Sequence, residues 1–195
     1  MKTHEEILAI KKSRIHQLHR FDLRRTALIV VDMQRGFLDP QASLCVPPGR
    51  DLIPPLRGLI DVCRTHQVPV FYTAFLASPL VPTLRGDPFG PEHLPPQAGQ
   101  PTGWGHPSGN CQYGMQGPES PEITPELMPR PDEMVIQGYS LDKFYGTPLD
   151  HVLRARDIRY LIFTGIMADL CVASTLFSAA TREYRVTVLR DGIAT

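Results

Sequence analysis

Lysine is scarce in this sequence. Of 20 basic residues only Lys2, Lys11, Lys12 and Lys143 are lysines; the rest are arginines. Any chemistry that needs an ammonium in the body of the chain therefore has only Lys143 to draw on. Charge of one sign is lacking as well. Twenty acidic residues balance the basic ones, for a net charge of +0, which removes the electrostatic case for nucleic acid or an anionic membrane as partner. No apolar stretch approaches the ~20 residues that a membrane helix needs. The four cysteines, Cys45, Cys63, Cys111 and Cys171, are scattered with no CxxC pair, against a zinc ribbon or a dithiol redox motif. The opening segment MKTHEEILAIKKSRIHQL is charged throughout and does not read as a signal peptide. The expectation is a cytoplasmic protein with reduced thiols.

What is present is an alternation of periods. A length of 195 residues suits one domain with a real core. Residues 3–20 read as a helix with a thin apolar stripe of Ile7, Leu8, Ile15 and Leu18, suited to packing on the domain surface or on a second subunit. TALIVV (26–31) is a β-branched run of the kind found in strands covered on both faces. A helix follows over 51–67, its prolines tolerated near the start, and then a strand over 68–75. Residues 77–120 are rich in proline and glycine. A loop of that length is often a lid or binding edge, with a plain insertion as the alternative. Beyond it come a strand (133–138), a helix (147–157, capped by Thr147), a strand (160–166), a helix (169–184) and a strand (185–191). Strands alternating with helices predict a doubly wound, three-layer parallel α/β sheet of Rossmann-like form. The expected division is an N-terminal helical extension over 1–25 and a domain over 26–195.

In such a sheet the ligand crevice lies beyond the carboxyl ends of the strands. Three polar residues fall at such ends: Asp32 after the first, Lys143 in the loop after the third, Cys171 after the fourth. A helix N-terminus and a nearby ammonium both lower a thiol's pKa. A carboxylate can take the thiol proton and return it to a leaving amine. Backbone N–H groups in the turn can hold an oxyanion. Each residue also has an ordinary reading, as core thiol, loop carboxylate and surface lysine; their shared position at strand ends is what favours acyl transfer.

The segments ALIVVDMQRGFLDP, FYGTPLDHVLRARDIRYLIFTGI and CVASTLFSAATREYRVTVLRDGIAT resemble the isochorismatase-like cysteine hydrolase family, in its amide and ureide hydrolase branch. The resemblance implies a six-stranded parallel sheet, assembly into homo-oligomers (dimers or tetramers), and hydrolysis of C–N bonds by an Asp-Lys-Cys triad. It makes Asp32 the general acid/base and Cys171 the nucleophile. It implies a cis peptide at Ile166–Met167 and an oxyanion hole from the Met167 and Cys171 backbone N–H groups. Three departures stand out. The family lysine sits directly after the third strand, where this sequence has Gly138. Either Lys143 reaches back into the site or the triad has lost its cation, with Arg85 a weaker substitute because arginine cannot shuttle protons. The threonine common three residues before the nucleophile is Ala168. The family's last helix and sixth strand are also expected to be missing from this sequence.

Nicotinamidases of the family carry a D-x-H metal site after the second strand; YTAFLASPL has neither residue, so no metal and no cofactor are expected. Isochorismatases proper cleave a vinyl ether and generally lack the cysteine, so Cys171 points to a small amide, ureide or carbamoyl substrate. Trp104, His106 and Tyr113 are placed to close a pocket, and Gln34, Phe37, Tyr139 and Tyr145 to touch a ligand. The alternative from another class is a non-catalytic family member that keeps the fold for binding or assembly.

Overall fold

A computed structural model describes residues 2–18, 20–77 and 110–195. The expectations placed on Arg85, Trp104 and His106 lie outside the described residues. The ordered elements run α1 (His4–Leu18), β1 (Thr26–Val31), α2 (Arg35–Leu38), α3 (Pro47–Asp51), α4 (Ile53–Thr65), β2 (Val70–Phe75), β3 (Met134–Gly138), α5 (Leu149–Ala155), β4 (Tyr160–Ile166), α6 (Ala173–Thr181) and β5 (Arg185–Ala194). A wide π-type turn over Ala168–Val172 joins β4 to α6.

The strands form one sheet in the order β3-β2-β1-β4-β5, and every pairing is parallel. This is the doubly wound α/β architecture that the alternating periods predict. All six residues of β1 are buried, which fits its place at the centre and its unbroken apolar composition. Alternate side chains divide between two cores. Leu28 and Val30 pack with Leu56, Ile60 and Cys63 of α4 on one face. Ala27, Ile29 and Val31 pack with Leu149 and Leu153 of α5 and Ala179 of α6 on the other.

Local chemistry sets the element ends. Pro54 and Pro55 fall in the first turn of α4, where their missing N–H groups cost nothing. α5 begins later than the sequence suggests: Pro148 is its cap residue, while the Thr147 hydroxyl accepts the Leu149 N–H at 3.3 Å. Gly165 has φ +105°, and a Cβ built there would stand 2.1 Å from the Val31 carbonyl oxygen. Only glycine lets β4 approach β1 so closely where the chain turns into the site.

α1 departs from one of its two expected roles. Its described side chains are exposed, with Ile7, Leu8, Ile10 and Ile15 each more than a third open to solvent. Among the described residues of the stripe, Ile7, Leu8 and Ile15 stay open to solvent rather than packing into the domain of their own chain. No described helix is long and apolar enough to cross a membrane.

Candidate active site

The carboxyl ends of β1 and β4, neighbours at the centre of the sheet, and the loop after β3 converge on one buried cluster. Asp32 leaves β1 with φ 49°, Lys143 sits in the loop between β3 and α5, and Cys171 sits in the wide turn before α6. All three are buried. Lys143 Nζ lies 2.9 Å from Asp32 Oδ2. The contact is an ion pair rather than an aligned hydrogen bond, since Oδ2 has no hydrogen-bond partner of good geometry. The Asp32 carboxylate and the Met167 N–H both lie close enough to act on the Cys171 thiol. Of the two alternatives for the lysine, the structure adopts the first: it reaches back from its displaced position.

The carboxylate is oriented by a residue that the sequence pattern did not single out. Thr73, buried in the middle of β2, donates its hydroxyl to Asp32 Oδ1 at 2.6 Å and its carbonyl accepts the Asp32 N–H at 3.2 Å. The two carboxylate oxygens are thereby distinguished: one takes a neutral hydroxyl, the other faces the ammonium. A threonine set in the run VFYTAF was the available signal, because a buried hydroxyl needs a partner. The ammonium also donates to the Ser140 carbonyl at 3.0 Å and lies 5.1 Å from the centroid of the Phe75 ring. Ion pair, carbonyl and ring together offset the cost of burying the charge.

The thiol corrects a simple reading of helix-terminus chemistry. Burial and the Asp32 charge push Cys171 well above the ordinary thiol range, while Lys143 and the Met167 N–H pull it the other way. Burial wins, so the resting residue is a thiol beside the Asp32 carboxylate, and the thiolate has to be made by proton transfer. The Ile166–Met167 peptide is cis. The Met167 carbonyl accepts both the Leu170 and the Val172 N–H, each at 3.1 Å, so those two donors are committed to the turn. The turn thus differs from the regular helix expected over 169–184, and a π-type turn of this kind often stands at a functional site.

The ligand-contact expectations divide. Gln34 is fully buried and spends its amide on the backbone: Nε2 donates to Phe75 O (2.9 Å) and Pro121 O (2.7 Å), and Oε1 accepts from Phe75 N (2.8 Å). It braces the exit of β1 against β2, which corrects its reading as a ligand contact. Phe37 is likewise committed to the core, with its ring centroid 6.5 Å from that of Phe75. Tyr139 is half-buried. Tyr145 and Tyr113 are 72% and 78% exposed. A residue outside the expected set is more telling. Asn110 is buried, its Nδ2 donates to Gly36 O at 2.8 Å, and its Oδ1 has no donor. Its neighbour Cys111 is close enough for the Asp32 and Lys143 charges to act on its thiol.

With this geometry in view, comparison with known proteins is decisive at the level of family. Residues 26–195 match the Isochorismatase family, described as the Isochorismatase domain. The chain belongs to the isochorismatase family. Ureidoacrylate amidohydrolase RutB of Caulobacter segnis is 30% identical over 175 residues, covering 87% of this chain and 72% of that protein. RutB of Caulobacter vibrioides is 29% identical over 181 residues, covering 87% and 77%. Among solved structures, N-carbamoylsarcosine amidase from Thermoplasma acidophilum superposes with TM-score 0.65 at 28% identity, covering 88% of this chain and 84% of that one. A cysteine hydrolase from Pseudomonas syringae pv. phaseolicola gives 0.67 at 27%, covering 90% and 75%. This isochorismatase-family hydrolase thus has amidohydrolases among its relatives. Its sheet, with helices on both faces, has the isochorismatase-like fold of its structural neighbours.

Proposed function

We propose that this family member hydrolyses a C–N bond of a small amide, ureide or carbamoyl compound through a thioester on Cys171. The observation that carries the reading is the buried contact set in which one carboxylate, Asp32, meets both the Lys143 ammonium and the Cys171 thiol. Asp32 takes the thiol proton as the sulfur attacks the substrate carbonyl carbon. The carbonyl π pair moves onto oxygen, and the Met167 and Cys171 backbone N–H groups stabilise that oxyanion. As the tetrahedral adduct collapses, the C–N bond breaks and Asp32 gives its proton to the leaving nitrogen, releasing ammonia or an amine. Water then attacks the thioester with Asp32 as base. Collapse of that second adduct expels the sulfur, which recovers a proton, and frees the acid. Throughout, Lys143 faces the negative charge shared by Asp32 and the sulfur.

The exposed stripe of α1 supports a homo-oligomer, dimer or tetramer, in which that stripe is covered by another subunit. The protein is read as cytoplasmic.

Ureidoacrylate and N-carbamoylsarcosine, the compounds named for its relatives, are the first substrates to assay, within a panel of small amides and ureides. Ammonia release by the wild-type protein and none by Cys171→Ser is the expected outcome. A full panel with no turnover, and no acyl-enzyme detectable by intact mass, would sink the enzyme reading.

A further inference from the structure

Lys143 stands on a loop rather than at a strand end, so something must fix it. The loop has no regular backbone pairing of its own, yet the lysine is fully buried. Its contacts show where the fixing comes from. The Thr175 hydroxyl accepts the Lys143 backbone N–H at 3.2 Å and donates to the Leu141 carbonyl at 3.2 Å. Three residues on, the Ser178 hydroxyl donates to Asp142 Oδ2 at 2.7 Å. The other oxygen of Asp142 accepts the Phe144 N–H at 2.8 Å. Thr147 donates its hydroxyl to the Lys143 carbonyl. Residues 141, 142 and 143 are thus each bonded to α6, the helix that follows Cys171 in the chain.

Thr175 and Ser178 lie three apart, on one face of α6. Thr175 is fully buried, so its hydroxyl would stand orphaned without the loop. Neither hydroxyl is among the contacts of Asp32 or of the Cys171 sulfur. Their bonds go to the segment that carries the ammonium.

We propose that Thr175 and Ser178 are positioning residues which clamp the 141–143 segment to the nucleophile's own helix and so hold the Lys143 ammonium against Asp32. The clamp makes nucleophile and cation one mechanical unit: a shift of α6 carries both together. This proposal deepens the amidohydrolase reading and, for its effect on turnover, rests on it.

The scarcity of lysine supplies a direct test. Lys2, Lys11 and Lys12 are exposed, so they serve as internal references for acetylation by acetic anhydride, followed residue by residue by peptide mass spectrometry. In the wild-type protein Lys143 should be acetylated far more slowly than Lys11 and Lys12. Thr175→Val keeps the shape of the side chain but strands the Lys143 N–H and the Leu141 carbonyl. It should raise Lys143 labelling about tenfold or more and leave the three references unchanged. Thr175→Ser, which keeps the hydroxyl, should label like wild type. Ser178→Ala, at a half-buried position, gives the same readout if Thr175→Val fails to fold.

The turnover arm uses whichever ureide or amide the wild-type protein hydrolyses. Thr175→Val should lower kcat by about tenfold or more, since small misplacements at a reacting centre are costly. It should cost nothing further in a Lys143→Met background. Lys143 labelling that stays at the wild-type rate in both Thr175→Val and Ser178→Ala would overturn the clamp. So would an equal loss of turnover with and without the lysine. Raised labelling together with a fully active Lys143→Met would uphold the clamp as a device that places the ammonium, and would count instead against the catalytic role given to the lysine.

Discussion

Lys143 Nζ and Asp32 Oδ2 meet at 2.9 Å with both side chains almost wholly removed from solvent. A pair of this kind is costly to break from one side, because the remaining charge stays buried and unpaired. Lys143→Met should therefore act twice. Turnover should fall by about 10²-fold or more as the transition-state charge loses its partner, and the protein should lose roughly 3–5 kcal/mol of stability. Steady-state kinetics and urea unfolding on the same preparation check both effects. Unchanged turnover would remove Lys143 from the site.

Gln34 separates two roles that a sequence pattern cannot. Its amide bonds Phe75 N, Phe75 O and Pro121 O, so Gln34→Leu strands buried backbone groups. The expected result is a loss of about 1–3 kcal/mol or more in urea unfolding, with KM little altered in the protein that remains folded. A large rise in KM at unchanged stability would restore the ligand-contact reading.

Gly165 carries a stricter requirement. At φ +105°, with the Val31 backbone 2.1 Å from a would-be Cβ, even alanine meets main chain that cannot give way. Gly165→Ala should fail to accumulate as folded protein. A soluble variant with the wild-type melting temperature would contradict the packing of β4 on β1.

Stability should fall on the alkaline side. Burial raises the thiols of Cys63, Cys111 and Cys171 above 9.0 in the folded protein. The unfolded chain ionises its thiols near their ordinary value of about 8.5. Each buried thiol therefore contributes stability that is complete below that value and is lost as pH rises toward the folded pKa. Tyr72 and Tyr184, each pushed up to about 12 by burial, extend the decline above pH 10. Urea midpoints from pH 7 to 10 should drop, and Cys171→Ala should flatten the slope. A midpoint that is flat or rises across this range would contradict the burial of the thiols.

The stripe on α1 makes a hydrodynamic prediction. Replacing Ile7, Leu8 and Ile15 by lysine should leave the fold intact, since these side chains are exposed in the single chain. It should lower the mass measured by light scattering if another subunit covers them. An unchanged mass would assign assembly, if any, to a different surface.

The sheet was legible because each of its strands is a short apolar run set between helical periods. The burial of all of β1 is written into TALIVV. Asp32 and Cys171 were legible because topology alone brings the ends of β1 and β4 together. For Lys143 the sequence left two alternatives open, since a loop residue's reach depends on what grips the loop, and those grips come from Thr175 and Ser178, thirty-odd residues away. Gln34 misled for a related reason. A polar residue just past a strand end serves a ligand or the backbone equally well by pattern, and here unpaired main-chain groups of β2 claimed it. The direction of the Cys171 shift depended on total burial, a three-dimensional quantity that no local motif carries.

The central position of β1 has a consequence for how the protein is made. Its neighbour β4 lies far along the chain: Ile29 and the Thr164 that bonds to it are 135 residues apart. A ribosome adding about 5–20 residues per second needs roughly 7–27 seconds to cover that distance. For that interval one edge of a largely apolar strand has no partner, and such edges invite wrong pairings. Mutations that slow synthesis between β1 and β4 should lower the yield of active protein without touching any residue of the site.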